Sequence, residues 1–186
     1  TMIIADKLKV SNRAEYLLYM WQVEDLIRAY AGDAERIAKE YVAHFQNLDD
    51  KKRKATEKWY ADLCEMMRSE GKMQGGHLQI CCNILQELSE LNQQLLASSK
   101  FPYYREMYYK VLPYVVELRK KQAQTDEKTQ EPELETCFNL LYGVWMLRLQ
   151  KKPVSEATEK AAKDVSALLG QLSDYYFKDK KEPIDF

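Results

Sequence analysis

Among the 186 residues, the few that could do chemistry are charged or imidazole side chains in apolar surroundings. Glu24 is the first. In a helix it projects between Leu17 and Met20, next to Trp21, where a lone carboxylate must be paired or protonated. Arg28 lies four residues on, in the favourable Glu-first order, but an exposed pair of that kind adds only ~0.3–0.5 kcal/mol. Two other arginines interrupt apolar arcs. Arg148 falls beside Leu141, Val144 and Trp145, and Arg119 falls near Leu112 and Val115. Arginine suits buried bidentate pairing, so Glu24 is expected to meet Arg148 or Arg119 in the interior. Such a pair either fixes helix order or lines a ligand pocket around Trp21, Glu24, Arg28, Arg119 and Arg148.

His77 is the other candidate. It follows Gly75-Gly76 at an expected helix start, where the dipole disfavours imidazolium. A neutral imidazole there could act as a base or a ligand, or simply cap and pack. An enzyme would use it with a carboxylate such as Glu24 or Asp62, brought within hydrogen-bond reach across a cleft. Asp25 points away from Glu24 and reads as surface, as does His44. No cofactor and no metal are implied. A di-iron bundle needs Glu-x-x-His on two helices, and Tyr41 and Gln74 stand three residues before the two histidines. The four cysteines lack C-x-x-C spacing, and phosphate-loop and nucleophile-elbow motifs are absent.

Composition narrows the classes. Lys and Arg number 28 against 29 Asp and Glu. A net charge of −1 gives no overall pull toward nucleic acid or anionic lipid. The basic run Lys51–Lys54 sits between acids and reads as a solvated first turn. In Tyr103–Tyr109, aromatics beside Arg105 suit an interface rim better than base stacking. The longest uncharged apolar run, Thr136 to Leu147, is shorter than the ~20 residues of a membrane span. Thr1 to Lys7 does not resemble a signal peptide. Free thiols fit a reducing compartment, and the expected location is cytoplasmic.

The elements that must position these residues are helices. Six glycines cannot supply the turns of a sandwich or barrel. Apolar side chains recur at helical spacing in seven segments, so the expected fold is an all-α bundle of six or seven helices in a single domain over 1–186. The first runs from Ser11 to Tyr30. Asp33 caps a second to about Gln46, and Asp49 or Asp50 starts a third that stops at Gly71. A fourth covers His77 to Ala97. The fifth starts near Pro102 and should kink or split at Pro113. Gln122 to Glu131 reads as a surface loop. Pro132 opens a sixth, Pro153 ends it, and Ser155 caps the seventh. The tail from Lys178 to Phe186 is expected to be loose.

Several stretches carry a resemblance. They include Tyr19-Met20-Trp21-Gln22-Val23-Glu24-Asp25-Leu26-Ile27-Arg28, Trp59-Tyr60-Ala61-Asp62-Leu63 and Gly76-His77-Leu78-Gln79. Val116-Glu117-Leu118-Arg119, Glu135-Thr136-Cys137-Phe138 and Leu147-Arg148-Leu149-Gln150-Lys151-Lys152 add to them. Over nearly its whole length outside the 122–131 loop, the chain resembles an uncharacterised bacterial, Bacteroidetes-type family, domain of unknown function 4924. The resemblance implies a cytoplasmic bacterial protein and supplies no activity and no catalytic residues. The leading expectation is therefore a non-enzymatic domain that binds a protein partner or self-associates. The small-molecule binder and the His77 enzyme stand as the alternatives, and neither nucleic acid nor membrane is an expected partner.

Overall fold

The structure, a computed structural model, describes residues 2–123 and 131–186. It is all-α, with no strand among the described residues. Among the described residues eight α-helices follow in order: α1 (Met2–Ser11), α2 (Arg13–Ala29), α3 (Ala34–Glu40), α4 (Asp50–Ser69), α5 (Gln79–Ala97), α6 (Pro102–Ala123), α7 (Glu133–Leu149) and α8 (Glu156–Lys181). A 3₁₀ turn, Val42–His44, follows α3. None of these helices is long and apolar enough to cross a membrane.

The helix starts follow from local chemistry. The side chains of Asn12, Asp33, Asp49 and Ser155 each accept a hydrogen bond from the backbone N–H three residues on, which satisfies one of the orphan donors of a first turn. The helix beyond what periodicity indicates is α1. It buries Ala5 but leaves Ile4 and Val10 exposed, so it carries no apolar stripe to read. The second expected helix is also shorter than its stripe: α3 ends at Glu40, and the backbone of Tyr41 turns out of helical geometry. Pro113 does not split α6, which runs on through it. Pro113 is exposed, so the Tyr109 carbonyl that its missing N–H would have bonded can turn to water.

The helices group into two compact units, Thr1–Ile84 and Leu85–Phe186, with the division inside α5. In the first, α2 packs on α1 and α4, and α3 packs on α4. Leu17, Met20, Ile27, Ile37, Tyr60, Met67 and Leu78 are its largest fully buried side chains. The Tyr41 ring meets both Phe45 and Tyr60 edge-on. In the second, α6 and α7 pack on α8 and on each other. Phe138, Leu88, Leu95, Leu168 and Tyr104 are buried there, and the Tyr104 hydroxyl donates to Asn92 Oδ1 at 2.5 Å. The expected tail is partly helix, since α8 continues to Lys181. Beyond it, Lys100 Nζ pairs with Asp185 at 2.6 Å and Phe186 lies by Phe101. Most of the expected 122–131 loop, residues 124–130, lies outside the described residues.

Candidate functional site

Helical spacing puts Trp21, Glu24 and Arg28 on one face of α2. Trp21 is 2% exposed and Glu24 is wholly buried. The connection from α4 to α5 brings the partner groups. It leaves α4 through Gly71, whose φ of +68° permits the left-handed stop. There Lys72 N–H bonds back to the Met67 carbonyl at 2.8 Å. Arg28 then holds the connection against α2: its Nε donates to the Lys72 carbonyl at 3.1 Å, and its Nη2 donates to the Gly76 carbonyl. Its third nitrogen meets exposed Asp25 at 2.9 Å.

That path delivers His77 and Leu78 to the Glu24 carboxylate. His77 Nδ1 lies 2.7 Å from Oε2, and Leu78 N–H donates to Oε1 at 3.0 Å. The nearer Arg28 nitrogen is 3.9 Å away, a flanking charge rather than a direct partner. The imidazole stacks on Trp21, with centroids 4.3 Å apart and planes 11° off parallel. Leu78 stands at the start of α5 and has no polar side chain to cap it. Two carboxylates serve instead: Glu24 on Leu78 N–H and Glu70 on Gln79 N–H at 2.8 Å. The buried Cys81 thiol is pushed up, first by burial and then by the neighbouring Glu24.

The expected interior pair of Glu24 with Arg148 or Arg119 is not what forms. Both arginines belong to the second unit and have partners there. Arg148 is exposed and pairs with Glu159 at 2.5 Å. Arg119 donates to the Glu131 carbonyl at 2.6 Å and lies 3.7 Å from Glu133. The physical reason is reach. A long guanidinium side chain in an apolar arc can extend its head to the rim of its helix, whereas the short Glu24 side chain stays where the arc puts it. Of the candidate residues, Trp21, Glu24, Arg28 and His77 therefore converge in the first unit, and Arg119 and Arg148 have their partners in the second. Asp62 pairs at the surface with Lys58 at 2.6 Å, leaving Glu24 as the carboxylate that meets His77. Asp25 and His44 are exposed.

Three participants escaped the sequence: the Leu78 N–H, Glu70 and Cys81. A backbone donor has no residue signature, and Glu70 looks like any acid after a helix. Among the described residues, no group of three or more His, Cys, Asp or Glu side chains could hold a metal ion. In the second unit, Arg148 instead lines an open hollow of about 550 Å³ with Leu141, Val144, Glu159, Lys160 and Lys163.

The Glu24–His77 arrangement can do two things chemically. It anchors the start of α5, and it fixes an imidazole by one nitrogen. No curated protein and no solved structure matches the chain. A family model, Domain of unknown function (DUF4924), matches residues 2–183. These span the converging α2 and α5 residues as well as both arginines of the second unit, and the chain thus belongs to the DUF4924 family.

Proposed function

We propose that the protein works by association, and that its partner is a second copy of itself. One observation carries this reading: the apolar surface that α7 leaves uncovered along its C-terminal half. A helix that packs one stripe against its own domain is normally polar elsewhere. Along its C-terminal half α7 has Leu140, Leu141, Trp145, Met146 and Leu147 only half-buried, and Leu149 is 57% exposed. Charges of both signs line the hollow beside it, with Arg148, Lys160 and Lys163 against Glu156 and Glu159. A patch that mixes signs around an apolar centre complements itself across a two-fold axis. A net charge of −1 opposes self-association only weakly. The buried free thiols of Cys64, Cys81 and Cys137 suit a reducing compartment, consistent with a cytoplasmic protein.

Light scattering on an eluting column tests it. The expected mass for the parent is twice 21.9 kDa. With Leu141→Lys and Leu149→Lys together it falls to the single-chain value. A parent that runs as a monomer at about 100 µM, where a micromolar interface would be filled, overturns the reading. So does a double variant that stays dimeric, or a monomer that takes a different protein on this face.

A further inference from the structure

The Glu24–His77 contact goes beyond the association reading, because it prepares one nitrogen for chemistry. A carboxylate has only acceptors. Oε1 receives Leu78 N–H and Oε2 receives His77 Nδ1, so Nδ1 carries the imidazole proton. In a neutral ring Nε2 is then the bare acceptor. Trp21 covers one ring face and Glu24 holds the Nδ1 edge. Yet the side chain keeps 29% of its surface exposed. Neither of these contacts takes the edge that carries Nε2.

We propose that His77 is a general base: Nε2 takes the proton from the O–H of water or of a small hydroxyl compound, and Glu24 is the positioning residue behind it. The oxygen keeps the O–H bonding pair and uses it to attack an electrophilic carbon. On an ester it forms the new C–O bond, the old ester C–O bond breaks, and the leaving oxygen departs with that electron pair. The imidazolium faces the Glu24 carboxylate until its Nε2 proton returns to solvent. Arg28 takes no part in the step, since its donors are committed to Lys72, Gly76 and Asp25.

Two readouts test this, and the chain's two histidines provide an internal control. The first is the imidazole ¹⁵N spectrum of the intact protein, which distinguishes the tautomers. His77 is expected with its proton on Nδ1. In Glu24→Gln the side chain has one acceptor and one donor group. If the oxygen keeps Leu78 N–H, the NH₂ faces Nδ1 and drives the proton to Nε2. The second is hydrolysis of 4-nitrophenyl acetate at neutral pH. His77→Gln is expected to lose about 10²-fold in rate, in the range of a positioned general base, and His44→Gln to lose nothing. Glu24→Gln should fall toward His77→Gln as its tautomer switches. A parent protein with the His77 proton on Nε2 overturns the proposal even if every variant fails to fold. So does a folded His77→Gln that hydrolyses as fast as the parent.

Discussion

Glu24→Ala is expected to destabilise the first unit by about 2–4 kcal/mol, and the figure follows from what the carboxylate holds. Its loss leaves Leu78 N–H buried without its acceptor, at about 1.5–3 kcal/mol for a hydrogen bond to a charged group. His77 Nδ1 loses its partner too, but 29% of that side chain is exposed, so water recovers part of the bond. The void beside Trp21 adds a cavity cost, at ~24 cal/mol per Å³ left unfilled. Against these stands the relief of no longer burying a carboxylate, which is why the sum stays under the upper end, about 5 kcal/mol, for breaking a buried pair. Asp25→Ala is the control one residue away. That side chain is 51% exposed and pairs with the same Arg28, so it should cost at most about 1 kcal/mol.

Urea unfolding followed by tryptophan fluorescence measures both. The chain has three tryptophans, so a Trp59→Phe, Trp145→Phe background leaves Trp21 as the reporter beside the substituted carboxylate. Two compact units can unfold separately, and a local reporter avoids averaging over them. A Glu24→Ala loss no larger than that of Asp25→Ala would refute the reasoning, because it would mean that the buried hydrogen bonds contribute nothing net.

Three further outcomes are expected. Ala31 is exposed at φ +53° just past α2, in the left-handed position where glycine is preferred; Ala31→Gly should add up to about 1 kcal/mol of stability, read as a higher urea midpoint. Asp164 has its carboxyl held below the ordinary value of 3.8, chiefly by its hydrogen bond to Lys110, with Tyr114 adding another. A depressed folded value gives stability that is present above 3.8 and lost as pH falls through the folded value. Acid titration by circular dichroism should therefore show Asp164→Asn flatter than the parent below pH 3.8. Of the four cysteines only Cys82 is exposed, and burial pushes Cys137 up to about 12 and raises Cys64 and Cys81 as well. A thiol reagent should find one fast site in the native protein and all four in urea; two or more fast sites would contradict that burial.

Fold class was legible because periodicity and caps agreed. Asp33, Asp49 and Ser155 announce α3, α4 and α8, and each cap forms as its residue type implies. Failures came where the stripe was missing or where solvent intervened. Helix α1 hides because Ile4 and Val10 face outward. Pro113 looked like a break because a wheel cannot tell that its turn is exposed. The arginines of α6 and α7 looked interior because a wheel places Cβ atoms, while four rotatable bonds decide where a guanidinium ends.

Glu24 marks the limit more sharply. Its burial was readable from Leu17, Met20 and Trp21 around it, all of which are themselves buried. Its partners were not, because a buried negative charge suggests a positive one. What a carboxylate oxygen needs in the interior is a donor, and a backbone N–H or an imidazole N–H supplies one without burying a second full charge. The start of α5 offers such a donor in any case, because its first N–H groups have no partners within the helix. Seating His77 immediately before Leu78 lets one short side chain meet both needs, and it spares the chain the entropy of ordering a long arginine in the core. A buried acid opposite the start of another helix is therefore better matched with that helix's first N–H groups, and with the side chain beside them, than with arginines elsewhere in the chain.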